Sequence, residues 1–140
     1  MGLRQIVPCV HEQIRFQMIG WLAVFFGGGM GSLARYGVAR WVSAMGWSGY
    51  PYATFIANMA SCLVLGVMVK FFSARPELDT AWKLLVLVGF CGGFSTFSTF
   101  SHETVLLMRE GQLGWAVMNV LLSVSACVGL LYILSRNPVS

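Results

Sequence analysis

Hydrophobic positions along this chain fall into four long runs, and charged residues mark where each run ends. Residues 16–34 carry no charge and lie between Arg15 and Arg35. Residues 41–69 are uncharged between Arg40 and Lys70, and residues 84–101 between Lys83 and the pair His102–Glu103. Residues 111–135 are uncharged between Glu110 and Arg136. A helix needs about 20 apolar residues to cross hydrocarbon, within a range of roughly 17–25. All four runs meet that length. They predict an all-α membrane protein with four transmembrane helices, at about residues 18–44, 52–72, 82–108 and 113–134. Little chain is left over for a soluble domain.

The connecting segments agree with this division. The loop GWSGYP is turn-like and carries aromatics suited to a headgroup region. SARPELDT is a polar loop in which Pro76 stops the second helix. Residues 1–17, MGLRQIVPCVHEQIRFQ, are mixed in character and read as a short, frayed extension ahead of a channel-forming unit over residues 18–140. Met18 is a second candidate start. The first run does not read as a cleaved signal peptide, because it continues through GGGMGSLARYG without a small-residue cleavage site and three more spans follow.

Composition narrows the function classes. The chain is 57% hydrophobic and 10% charged, against about 25% charged in soluble domains. The net charge of +4 is spread out, with no basic block interleaved with aromatics. Nucleic acid is therefore not an expected partner. With an even number of spans, Arg4, Arg15, Lys70, Arg75, Lys83 and Arg136 share a side with the termini. Arg35, Arg40 and Arg109 face the other side. That bias places the termini in the cytoplasm. Cys9, Cys62, Cys91 and Cys127 show no CxxC spacing and no nearby histidine, so they read as small buried hydrophobes.

The third run holds the least hydrocarbon-like sequence, GFCGGFSTFSTF at residues 89–100, between LLVLV and VLLM. Gly92–Gly93 weakens a helix there, so the third span is expected to break mid-membrane. Non-helical backbone at membrane depth is tolerated only where protein packs on it or it lines a cavity. Freed carbonyls suit a cation, and freed N–H groups at a restarted helix suit an anion. Beyond the break, spacing by three predicts a stripe of Phe94, Phe97 and Phe100, a second of Ser95, Ser98 and Ser101, and a third of Thr96 and Thr99. Span 2 carries one strong polar residue, Asn58, and span 4 carries Asn119, Ser123 and Cys127 on one face.

The blander account is that membrane serines and threonines bond to their own helix and that phenylalanines face lipid. What favours a solute path is the combination. No Asp or Glu lies deep in a span, which disfavours a proton relay or a carboxylate-ring cation channel. The deep polar groups are neutral donors: Asn58, Ser95, Ser98, Thr99 and Ser123. Phenylalanine edges are electropositive. Together they suit weak, multi-site solvation of a small hard anion.

These residues resemble the Fluc (CrcB) family of fluoride channels. GGGMGSLARY is similar to the family's glycine-rich first helix, ATFIANMASC to its asparagine-bearing second helix, and GFCGGFSTFSTF with Glu103 is the most specific match. The resemblance covers about residues 18–135. It implies an antiparallel, dual-topology homodimer in the bacterial inner membrane, with two fluoride pores and a structural Na⁺ at the dimer centre. It implies that Asn58, Phe97 and Phe100 face fluoride. Ser98, Thr99 and Ser123 then belong to the polar track, with Asn119 nearby, and Glu103 sits near a pore mouth. Gly92 and Ser95 offer backbone carbonyls to the Na⁺. Two departures stand out: residues 1–17 have no counterpart, and serine occupies position 95 where threonine is expected.

The size of the chain agrees with the dimer that the resemblance implies. Four helices pack one another but scarcely enclose a pore, and small residues on spans 1 and 3 offer surfaces for a close two-fold interface. The alternatives are a small four-span multidrug exporter, which would need a glutamate within span 1, and a non-transporting membrane partner. An enzyme is not expected, because no Ser–His, Cys–His or paired-carboxylate set lies within the spans.

Overall fold

A computed structural model describes the backbone of residues 3–47 and 49–136, and side chains at residue 15 and from residue 17 onward within those bounds. The chain is helical throughout: α1 (Leu3–Ala44), α2 (Tyr52–Ser73), α3 (Thr80–Lys83), a π-helical segment Leu84–Phe90, α4 (Cys91–Phe94), α5 (Phe97–Arg109) and α6 (Leu113–Ser135). Four stretches are long and apolar enough to cross a membrane: Gln17–Ala44, Tyr52–Ser73, Thr80–Arg109 and Leu113–Ser135.

Residues 3–17 do not form a separate element. The first helix runs unbroken from Leu3 to Ala44. Between Pro8 and Gly20 the sequence has no proline or glycine to stop it.

Two helices end on glycines in left-handed backbone geometry. Gly46 has φ 77° and Gly111 has φ 75°. At the first, Trp47 N–H donates to Val42 O and Gly46 N–H to Ser43 O. At the second, Gln112 N–H donates to Leu107 O and Gly111 N–H to Met108 O. Both are Schellman closures, which satisfy the last helical carbonyls and turn the chain back within one loop. A side chain at either position would meet the steric cost of positive φ.

Span 1 packs mainly on the π-helical segment and α4. Its glycines decide this. A Cβ added to Gly27 would lie 3.0 Å from Phe90 N, and one on Gly31 would lie 2.7 Å from Phe94 N. On the other side, a Cβ on Gly89 would lie 2.9 Å from the Gly27 Cα, and one on Gly93 would collide with the Gly28 carbonyl. Small residues let backbones touch where lipid supplies no hydrophobic drive. The glycines of span 1 expected at a two-fold interface, Gly27, Gly28 and Gly31, are thus committed to span 3 of the same chain.

Spans 2 and 4 pack side by side and point the same way. At one end Tyr50 stacks on Trp115, with ring centroids 4.5 Å apart, and also on Tyr52 at 5.8 Å. At the other end Gly66 seats against Leu131 and Leu134. The GWSGYP loop therefore supplies an aromatic cluster at one end of the bundle.

Candidate functional site

The backbone of span 3 leaves helical geometry at two residues. Ser95 has φ −74°, ψ 154° and Thr96 has φ −150°, ψ 113°. Gly92 and Gly93 are helical, within α4. The irregular pair therefore falls after the Gly-Gly pair and not on it. Gly93 is held against the Gly28 backbone, and its carbonyl accepts from Arg35 Nε at 3.3 Å. That contact steadies the C-terminal end of α4, where helical carbonyls lose their partners.

Span 2 fastens the extended pair from the side. Ser61 Oγ donates to Cys91 O at 2.9 Å, just before the pair. Asn58 Oδ1 accepts from Thr96 N–H at 2.8 Å, at the pair itself. Thr54 Oγ1 donates to Glu103 Oε1 at 2.7 Å, further along α5. Positions 54, 58 and 61 follow one another on one face of α2, so a single polar stripe holds span 3 at three points. The sequence reading names Asn58 but misses Thr54. Its spacing of four from Asn58 is the signal that finds it.

The Asn58 contact fixes its amide orientation, because a backbone N–H requires the oxygen. The Nδ2 amide is left as a donor, with no acceptor in reach among the described residues. Thr96 also caps α5: its Oγ1 accepts from Thr99 N–H at 3.3 Å and donates to Thr99 Oγ1 at 3.1 Å. Thr99 therefore keeps its own hydroxyl proton available. Ser98 Oγ lies 3.3 Å from Thr96 Oγ1. By contrast Ser95 Oγ donates to Cys91 O at 2.9 Å, so its proton is already used.

The extended pair also divides the phenylalanines. Phe94 and Phe100 are buried while Phe97 is 79% exposed. Phe94, Phe97 and Phe100 do not form one stripe, because the non-helical residues rotate α5 relative to α4. Phe97 and Phe100 stay together, with ring centroids 5.8 Å apart and planes tilted by 40°. Phe94 instead pairs with Phe90 at 5.6 Å.

On span 4, Asn119 and Ser123 are both buried. Ser123 Oγ donates to Asn119 Oδ1 at 3.4 Å, and Asn119 Nδ2 donates to Thr104 Oγ1 at 2.9 Å. Thr104 Oγ1 in turn donates to Phe100 O at 2.8 Å. The relay joins span 4 to the turn that carries Phe100. Thr104, absent from the sequence reading, is its middle link. Asn119 and Ser123 also line a small cavity of about 150 Å³ beside Pro51 and Trp115.

A second cavity of about 270 Å³ is bounded by Arg35, Thr54, Thr96, Thr99 and Glu103. With Ser32 and Tyr36 also in its wall, it gathers one cation, one carboxylate and five hydroxyls from three spans. Glu103 Oε2 is buried and takes no hydrogen bond from the described residues, a costly state for a carboxylate oxygen. Among the described residues no three of histidine, cysteine, aspartate and glutamate converge. The oxygens suited to a hard cation are backbone carbonyls: those of Gly92 and Ser95 accept no hydrogen bond among the described residues, and Gly92 is exposed.

The chain matches, over residues 22–134, the family described as CrcB-like protein, Camphor Resistance (CrcB). It is 43% identical over 119 residues to "Fluoride-specific ion channel FluC 1" of Yersinia pestis, covering 83% of this chain and 93% of that protein. It is 44% identical over 106 residues to "Fluoride-specific ion channel FluC" of Escherichia fergusonii, covering 73% and 80%. The protein of that name from Escherichia coli K12 is 45% identical over 103 residues, covering 71% and 77%. Both the matched span and these identities place the four-span unit, with its Asn58 and its GFCGGFSTFSTF segment, inside one family: the chain belongs to the CrcB family.

Proposed function

We propose that this protein is a fluoride-selective channel of the bacterial membrane that lets cytoplasmic fluoride leave passively and so protects the cell. Fluoride that enters as HF dissociates in a near-neutral cytoplasm and is trapped as the anion, so a leak for the anion lowers its internal level. The observation that carries this reading is the Asn58–Thr96 hydrogen bond. It ties up the amide oxygen and leaves the amide N–H groups as donors beside the start of α5. Thr99 adds a hydroxyl proton, and Phe97 and Phe100 add electropositive ring edges. A desolvated anion meets neutral donors and no cationic side chain among Asn58, Phe97, Thr99 and Phe100, so it is solvated weakly enough for rapid passage.

The proposed assembly is an antiparallel homodimer with dual topology and two pores. The exposure of Phe97 and Ser98 supports it, because a pore needs a wall opposite those residues and a second copy supplies one. In this arrangement the extended pair Ser95–Thr96 lies at membrane depth. The Gly92 and Ser95 carbonyls suit a Na⁺ at the dimer centre: both are hard oxygen donors with no competing hydrogen bond among the described residues. One chain offers only part of a coordination shell, and the two-fold partner completes it. When bound, that ion supplies a fixed positive charge that lowers the cost of an anion in a low-dielectric setting.

The test is fluoride efflux from liposomes that carry the purified protein. Release is triggered with a K⁺ ionophore and followed with a fluoride electrode, with chloride efflux as the control. Fast fluoride release without chloride release is expected. Absence of fluoride release from folded, membrane-inserted protein would remove the reading.

A further inference from the structure

Sulfur atoms of two spans come together away from the polar stripe. Cys127 of α6 places its Sγ 3.8 Å from the Met59 Sδ of α2. The Cys62 thiol of α2 lies close enough to Cys127 to interact with it. Met59 and Cys62 lie three residues apart on α2 and so face the same way. Both thiols are free and only partly buried, whereas Cys91 is buried.

Thiol and thioether groups are weak hydrogen-bond partners, so these contacts add little as hydrogen bonds. What they bring together is a set of soft donors. We propose that Met59, Cys62 and Cys127 form a binding site for a soft monovalent metal ion of the Cu(I) or Ag(I) type, which ties α2 to α6. Thiolate and thioether sulfur select such ions over hard ones. Two sulfurs held about 2.3 Å from one ion in a trigonal plane stand about 4 Å apart, close to the observed Met59–Cys127 separation. Charge also fits. The ion displaces one thiol proton to solvent and forms one metal–thiolate bond, and the other thiol and the thioether bind as neutral donors. The bound site is then neutral, which a low-dielectric position between helices requires. A tetrahedral Zn²⁺ would lack its fourth ligand here. The site uses none of the donors assigned to anion passage, and it is tested by binding and not by flux.

The experiment titrates full-length protein carrying Cys9→Ser and Cys91→Ala with Ag⁺ in chloride-free buffer. Native mass spectrometry counts bound ions, and maleimide labelling reports free thiols. One Ag⁺ per chain is expected, with both remaining cysteines protected. Adding Cys62→Ala or Cys127→Ala is expected to weaken binding by about 100-fold or more, at or beyond the upper end of the ~10–100-fold seen for groups that only support a ligand. Met59→Leu is expected to weaken it by about 10-fold. Single-cysteine variants that bind Ag⁺ as tightly as the parent would overturn the proposal. A second measurement needs no further substitution: dibromobimane becomes fluorescent only when it bridges two thiols. Bridging of Cys62 to Cys127 is expected, and alkylation of both without fluorescence would overturn the shared site.

Discussion

The side-chain oxygen of Asn58 accepts a 2.8 Å hydrogen bond from the backbone N–H of Thr96. This one contact caps the restarted helix of span 3 and, by using up the amide oxygen, sets which face of Asn58 is left to act. The fold and the conduction proposed above therefore rest on different atoms of the same side chain.

That division makes Asn58→Asp informative. Aspartate keeps an oxygen for the Thr96 N–H but replaces the donor with a negative charge. An anion about 4 Å from such a charge meets roughly 4 kcal/mol of repulsion at an effective dielectric of about 20, equivalent to about a thousandfold in flux. The helix content and melting of the variant are expected to match the parent while fluoride efflux is lost. Normal efflux would place Asn58 outside the anion path.

Phe97 and Phe100 separate in the same way. Phe97 is 79% exposed and Phe100 only 9%. Phe97→Ile is expected to leave thermal stability in detergent within about 0.5 kcal/mol of the parent and still to cut fluoride efflux sharply. Phe100→Ala removes buried volume and is expected to cost about 3–5 kcal/mol. Unchanged efflux in Phe97→Ile would remove the ring-edge role.

The glycine contacts between spans 1 and 3 predict a graded series. Gly93→Ala pushes a methyl group into the Gly28 backbone and Gly31→Ala into that of Phe90 and Phe94. Each is expected to destabilise by about 1–3 kcal/mol or more. Gly29→Ala meets no atom within 4 Å and is expected to be neutral or slightly stabilising. Thermal unfolding of the four proteins orders them, and equal losses at Gly29 and Gly93 would contradict the packing described.

The Ser123–Asn119–Thr104 relay is expected to behave as a unit. Thr104→Val and Asn119→Leu each leave a buried polar partner unsatisfied, at about 1–3 kcal/mol. The double variant removes both ends of their hydrogen bond and is expected to cost less than the sum, with a coupling of about 0.5–3 kcal/mol. Strict additivity in a double-mutant cycle would show that the two groups do not interact.

Hydrophobic periodicity and the placement of charge were enough to determine the four spans, because hydrocarbon admits few charges and a helix of fixed rise needs a minimum apolar length. The structure closes two of those spans on glycine. Gly46 and Gly111 follow helical runs directly, and each takes the positive φ that closes a helix. The site residues were legible as types: an asparagine in span 2, hydroxyls and phenylalanines in span 3, and a polar face on span 4.

Only the tertiary structure decided how those groups are used. The backbone leaves the helix at Ser95–Thr96 and not at Gly92–Gly93, because Asn58 offers an acceptor to Thr96 while Gly93 is needed for contact with Gly28. Intrinsic flexibility marks where a helix is able to break, but the partner that satisfies the freed N–H determines where it does. The same holds for the glycines of span 1. Their spacing reveals a surface made for close backbone approach, and only the packed chain shows that span 3 of the same molecule fills it. Thr54 and Thr104 escaped the reading of the sequence because a hydroxyl's partner lies 49 residues away for one and 15 for the other. A local pattern records what a residue is able to bond, and only the fold brings that partner within reach.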